Sequence, residues 1–234
     1  MRRGDEALRV SAAELGRHGD VWAHLGVGRL YLVKGDLARA IAVLERGLPM
    51  CEVGGDLAVY FSRTAASLGG AYALAGRLDE AHEILDRADR HAGSIGFAYG
   101  HALVVATLAE AKLLAGDPDD AARTADRALA LCRQHGQRGW EAWALRLEGE
   151  IAVRRDAADL DIARATFHSA MALAEERGMR PLIAHCQLGL GVLRRRAGQL
   201  SRARAETAGA LAEYRAMEMA YWTARAEAQL ATLM

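Results

Sequence analysis

The feature that most constrains this chain is a short glycine-led unit that returns at a fixed distance. Gly35-Asp36-Leu37-Ala38-Arg39-Ala40 is followed by Leu44 and Leu48, and Gly76-Arg77-Leu78-Asp79-Glu80-Ala81 by Leu85 and Ala88. Gly116-Asp117-Pro118-Asp119-Asp120-Ala121 precedes Ala125 and Ala128, and Gly198-Gln199-Leu200-Ser201-Arg202-Ala203 precedes Thr207 and Ala210. The leading glycines recur at one near-constant interval, doubled before Gly198, and the double interval holds one degenerate copy. A fixed period of this size marks a stacked array. Within each unit the small and apolar residues recur at helical spacing. The glycine closes the preceding helix, because it takes the left-handed cap conformation without steric cost.

Each hairpin of such an array buries its apolar face only against its neighbours. The sequence therefore predicts an all-α fold, a right-handed α-α superhelix of about five long helical hairpins plus terminal helices. Residues 1–19 are expected to form the leading helix of a truncated repeat, with the helix itself over 4–17 and Gly4-Asp5-Glu6-Ala7 as its repeat unit. Five repeats follow over 20–218, and a capping helix over 219–234, all in one solenoid. A chain that opens on a second helix without its first is expected to have been cut from, or to have lost, something larger. A chain that is 52% apolar but only 6% aromatic suits close-packed helices, and three prolines are too few for a linker-rich chain.

The first helices carry Val27-Gly28 with Tyr31, Leu68-Gly69 with Tyr72, Leu108-Ala109 with Lys112, and Leu190-Gly191 with Arg194. Small residues at Gly28 and Ala40 predict a close approach of the paired helices. The fourth repeat is irregular. Ala144, Leu147 and Ile151 define its first helix and Ala163, Phe167 and Ala170 its second. Arg154-Arg155-Asp156-Ala157-Ala158-Asp159 lacks a glycine and predicts an inter-helix loop about three residues longer than in the other repeats.

Leu or Val, then Gly or Ala, then Tyr, Gly and Ala in this order resembles the tetratricopeptide repeat, whose standard unit is about 34 residues. The period here is longer, and the tryptophan of the standard pattern is replaced by His24, Ala65, Val105, Ala144 and Gln187. These departures place the chain in a long-repeat subfamily. A closer resemblance runs through Met179–Gly191, Gly139–Arg146 and Tyr214–Met219. These segments look like the C-terminal repeat region of bacterial multidomain proteins that join a nucleotide-cyclase-like domain, an AAA-type signalling ATPase and tetratricopeptide repeats. The resemblance implies a sensor or scaffold arm, and it carries over no catalysis.

The motifs of the common enzyme classes are absent. There is no GxxxxGK[ST], GxSxG or HExxH, and Gly189-Leu190-Gly191 falls inside a helical pattern. Cys51, Cys132 and Cys186 form an odd, scattered set, which suits a reducing cytoplasm. Cys132 with His135, and His185 with Cys186, lack a second pair at metal-site spacing, so no metal or cofactor is expected. Thirty basic and 30 acidic residues cancel, which argues against a nucleic-acid binder with a broad basic face. No apolar run is long enough to span a membrane. Arg194-Arg195-Arg196 fits the negative end of a helix.

Candidate binding residues come from the repeat phase. Phe61, His101 and Trp140 fall about one repeat apart near the start of successive first helices, with Trp22 and Trp222 near the same place in the flanking repeats. An aromatic column of this kind either holds a partner or packs between neighbouring repeats. Groove positions read by phase are Leu25 and Arg29, Ala66 and Gly70, Ala106 and Glu110, Leu145 and Gly149, and Leu188 and Val192, with His185 beside the last pair. The Lys and Asn residues of the carboxylate-clamp type are absent there. The expected function is a non-enzymatic scaffold whose groove binds an apolar or amphipathic protein or peptide segment. The alternative is a small-molecule sensor controlling an attached effector, favoured by a buried cavity lined by His101, Trp140 and His185. An enzyme built on the repeats is the third reading.

Overall fold

The computed structural model describes residues 2–14, 16–52, 55–96, 98–155 and 160–233. Among the described residues there are twelve α-helices, one 3₁₀ turn and no strand. The helices are α1 (Arg2–Glu14), α2 (Gly16–Lys34), α3 (Leu37–Glu52), α4 (Phe61–Leu74), α5 (Leu78–Ser94) and α6 (Ala98–Leu114), with the 3₁₀ turn at Gly55–Tyr60. They continue as α7 (Pro118–Gln134), α8 (Arg138–Arg155), α9 (Leu160–Glu176), α10 (Arg180–Arg196), α11 (Leu200–Ala216) and α12 (Ala220–Ala231). The chain forms two compact units, Met1–Ala115 with α1 to α6 and Gly116–Met234 with α7 to α12.

The turns follow from the glycines. Gly76 has φ 80°. Its N–H donates to the Ala73 carbonyl at 3.1 Å, and the Arg77 N–H donates to the Tyr72 carbonyl at 2.9 Å. This pair of bonds is the Schellman closure of a helix end. It recurs at Gly35 and Gly198, which end first helices, and at Gly136 and Gly178, which end second helices. Glu218 makes the same two-bond closure at φ 54°, the one non-glycine residue with positive φ among those described. At the other end, Asp117 caps α7 by accepting from the Asp120 N–H at 2.9 Å, with Pro118 in the first turn.

The hairpins close on small residues. A Cβ placed on Gly28 would lie 2.5 Å from Leu44, and one on Gly69 would lie 2.5 Å from Leu85. Gly191 meets Thr207 in the same way, and Gly149 meets Phe167. The first three pairs share one spacing along the chain, and the pair in α8–α9 is spaced more widely. The irregular fourth repeat is therefore longer between these points, and its first helix sits one position out of the phase read from sequence. Gly149, expected to line a groove, is the close-packing residue toward α9. Residues 156–159 of the expected loop lie outside the described residues, as does Leu15 of the expected leading helix.

The leading helix is also corrected. It runs from Arg2, and Gly4 lies inside it, buried against Val27 and Tyr31. The glycine that turns the chain is Gly16, at φ 63°, so α2 starts there and not at Asp20.

The packing makes two kinds of helix. α4 touches α2, α3, α5 and α6, and all of its residues but Arg63 and Leu74 are buried. α5, a second helix, buries only Ala81, Ile84, Leu85, Ala88 and Ala92, a single stripe. Full burial of a side chain such as Leu85 contributes about 1.5–3 kcal/mol. First helices thus form the inner layer of each unit and second helices the amphipathic outer one.

Candidate functional site

Each first helix turns one face away from the position that meets its own second helix. At about 100° per residue, Trp22, Gly26 and Leu30 lie roughly opposite Gly28, the residue against α3. With the close-packing small residues as anchors, Trp22 is equivalent to Arg63, Leu103, Trp143, His185 and Arg225, each one repeat further on. This series is rich in rings and cations, and Trp22 and Arg63 meet within the first unit.

In that unit the Arg63 guanidinium lies over the Trp22 indole, 5.3 Å from its centroid. Trp22 is 48% exposed, yet it is pinned: its Nε1–H donates to the Tyr60 hydroxyl at 3.1 Å, and the two rings meet edge to face at 5.2 Å. Arg29 and Glu110 are half-buried on α2 and α6. Phe61 is buried, turned toward α5, where it meets the His91 ring at 5.0 Å and the Arg87 guanidinium at 4.6 Å. It walls a cleft of about 270 Å³ with Cys51, Glu52, Ala58, Arg87 and His91. His101 turns to the same helix, with its Nε2 2.8 Å from Asp89 Oδ1. Phe61 and His101 are thus placed against a second helix.

Trp140 does not share their position. The shifted phase of α8 makes Glu141 the equivalent of Phe61 and His101. Glu141 is buried and accepts from Arg133 Nε and Arg138 Nη1, each at 3.2 Å. Trp140 aligns instead with Tyr60 and Gly100, and is half-buried.

The second unit gathers a larger set around His185. Its ring lies 4.3 Å from Trp222, 5.4 Å from Tyr214 and 5.5 Å from Trp143. His185 Nδ1 and the Tyr214 hydroxyl share a hydrogen bond of 2.8 Å. Burial, with Arg146 and Arg225 nearby, holds the imidazole well below its ordinary range, so it is neutral. Burial and the Glu150 carboxylate push the Tyr214 hydroxyl up. Arg146, itself buried, lies 5.3 Å over Trp143 and donates to Glu150 at 2.5 Å. Arg225 lies 5.5 Å over Trp222. The Trp222 Nε1–H is buried without a hydrogen-bond partner.

His185 and Trp222 were legible as candidates. Trp143, Arg146 and Glu150 were not, because the slipped phase of the fourth repeat assigned its groove to Leu145 and Gly149, and Arg225 was not, because no groove pair was read in the last helix. A strict count of two repeat lengths from Arg63, Ala66 and Gly70 reaches Trp143, Arg146 and Glu150.

Burial pushes the Cys51 thiol up, and takes Cys132 and Cys186 to about 12, so none is a ready nucleophile. Among the described residues no three His, Cys, Asp or Glu side chains cluster to hold a metal. No described helix is long and apolar enough to cross a membrane. Fixed indoles under guanidiniums are what binding hot spots are built from.

No family profile matches this sequence, and no curated protein matches it. Solved structures do resemble it. A signal transduction ATPase with numerous domains and a tetratricopeptide repeat sensor, from Pyrococcus horikoshii, superposes with a TM-score of 0.64 at 15% identity. The match covers 97% of this chain and 34% of that one, so the chain spans about a third of that protein's length. Aspartyl phosphate phosphatase F from Bacillus subtilis gives 0.60 at 10% identity, over 91% of this chain and 60% of that one. The nearly identical tetratricopeptide-like repeats of a putative kinesin light chain from Podosopora anserina give 0.55 at 15% identity, over 82% of this chain and 93% of that one. With helices packed in consecutive pairs and closed by recurring turns, this chain has the tetratricopeptide-repeat-like fold.

Proposed function

We propose that this chain is a non-catalytic repeat scaffold that holds a protein or peptide segment against the open face of its first helices. The segment is apolar or amphipathic, and the chain acts as the regulatory arm of a signalling protein of the kind its repeats resemble. The observation that carries this reading is the His185 cluster. Trp143 and Trp222 flank the buried imidazole, and guanidiniums lie over both indoles. Rings already held in place lose little entropy on binding. An apolar side chain laid against the half-buried indoles gains ring contact, and the exposed Arg225 favours a flanking acidic residue.

The test is selection of short displayed peptides on the full chain, followed by affinity measurement on variants. Enriched peptides should weaken by about tenfold or more with Trp143→Ala, a hot-spot effect, while circular dichroism keeps the wild-type helicity. Failure to enrich any peptide, or peptides indifferent to both Trp143→Ala and Trp222→Ala, contradicts the reading.

A further inference from the structure

In most repeats the entry to the second helix balances its own charge. Asp36 and Arg39 lie 3.6 Å apart where α3 begins, Asp120 and Arg123 3.1 Å apart in the first turn of α7, and Asp161 and Arg164 2.9 Å apart in that of α9. Arg77 pairs with Glu80 at the start of α5. Each pair is an acid and an arginine three residues apart, one helical turn.

The entry to α11 breaks this rule. From Gly178 to Ala205 the chain holds no Asp or Glu, while Arg194-Arg195-Arg196, Arg202 and Arg204 gather about the turn from α10. Gln199 stands where Asp36 and Asp117 stand, four residues before the buried alanine of the second helix, which is Ala203 here and Ala40 and Ala121 there. Its side chain does not cap the helix. Arg194 Nη1 donates to Gln199 Oε1 at 2.8 Å, and Arg202 Nη1 donates to the same oxygen at 3.5 Å. Two guanidiniums thus share one neutral amide oxygen at a position that other repeats give to a carboxylate. Arg196 is exposed and bonds to no described residue. Arg195 and Arg204 turn to α12, where they donate to the Thr232 hydroxyl at 3.4 Å and the Leu233 carbonyl at 2.6 Å. Among the described residues none of the five pairs with a carboxylate.

We propose that the α10–α11 turn is a docking surface for an acidic segment of a partner protein, held by Arg194, Arg196 and Arg202. The partner's carboxylates supply the charge that Asp36 and Asp120 supply from within. A guanidinium fork binds a carboxylate through two charge-assisted hydrogen bonds, and an amide oxygen offers only a neutral acceptor. Leu200, between Gln199 and Arg202, is 55% exposed, whereas its equivalents Leu37 and Leu78 are half-buried. It gives the segment one apolar contact among the charges. Acidic residues resume on α11 at Glu206 and Glu213, so the patch is short. It fits a few carboxylates and not the continuous basic track that a nucleic-acid backbone needs. The surface is separate from the His185 cluster, because His185 and Arg194 are nine residues apart on α10, roughly 14 Å along its axis.

Fluorescence anisotropy of the full chain with a labelled peptide carrying glutamates on both sides of one leucine tests this. The peptide should bind, and should weaken as salt is added. A version with glutamine in place of glutamate should not bind. Affinity should fall by about tenfold in the double variant Arg196→Ala, Arg202→Ala, both at exposed sites. It should fall similarly in Gln199→Glu, which supplies the missing carboxylate from within the chain. Trp143→Ala should leave it unchanged. No binding of the glutamate peptide, equal binding of the glutamine version, or undiminished affinity in either variant overturns the proposal. So does a single-stranded oligonucleotide that binds these arginines more tightly than the peptide does. Binding lost with Trp143→Ala and kept in the arginine variant would place the peptide at the His185 cluster, which removes this proposal and leaves the scaffold reading standing.

Discussion

The ring of Phe167 lies where a side chain at Gly149 would stand: a Cβ there would fall 2.9 Å from three of its carbons. Phe167 is fully buried and also meets Gly189 on α10, so one aromatic ring fills the space opened by two glycines on successive first helices. Gly149→Ala should destabilise the chain by about 1–3 kcal/mol, the usual cost of overpacking. Adding Phe167→Leu should return part of that loss, so the two changes will be non-additive in urea unfolding. Equal, additive costs would show that ring and glycine are not coupled.

The same pair explains how far the sequence could be read. The fixed period, the turn glycines and the close-packing residues Gly28, Gly69 and Gly191 follow from local rules: a left-handed turn needs glycine, and helices that touch need a small residue. The fourth repeat keeps its small residue at Gly149, but Leu147 and Ile151 offer a competing apolar phase one position earlier, and the segment 154–159 holds no glycine. The phase was settled by Phe167, a tertiary contact that no local pattern contains. With it moved the site: Trp143, Arg146 and Glu150 came into line, and Trp140 left the position of Phe61 and His101. The gathering of Tyr214, from a second helix, beside His185 was equally beyond a pattern read one helix at a time.

Glu218 occupies the turn that Gly136 and Gly178 occupy in earlier repeats, with φ 54°. A side chain in this conformation costs about 1 kcal/mol relative to glycine. Glu218→Gly should therefore stabilise the chain by about that amount and raise the melting temperature by about 2–4 °C. A melting temperature that falls would mean that contacts of the Glu218 side chain outweigh the backbone strain.

Glu148 on α8 is hydrogen-bonded to Asp126 on α7, and burial with the Asp126 charge lifts its carboxyl from the ordinary 4.5 to about 7, against the opposing pull of Arg133. The folded state binds the proton more tightly than the unfolded chain. Stability is thus highest below pH 4.5 as far as this group is concerned, and is lost as pH rises through 7. Glu148 keeps some solvent contact, so the change is about 1 kcal/mol. Glu148→Gln should flatten this limb of the stability profile; an unchanged slope would contradict the shared proton.

His185 has the opposite sign. Its folded pKa is depressed by burial, Arg146 and Arg225, with the Tyr214 hydroxyl as its bonded neighbour. Its contribution is present above the unfolded value of 6.5 and is lost as pH falls through it toward the folded value. His185→Gln should reduce the acid sensitivity of unfolding below pH 6.5, and a proton resonance of His185 that titrates near its ordinary value would refute its burial as the neutral form.

The central claim is that the first helices, aligned by their close-packing small residues, present the binding face. Hydrogen exchange of the full chain, with and without a selected peptide, tests it most directly. The account predicts added protection in α8, α10 and α12, which carry Trp143, His185 and Trp222, with α9 and α11 unchanged. Protection confined to α9 and α11 would contradict it.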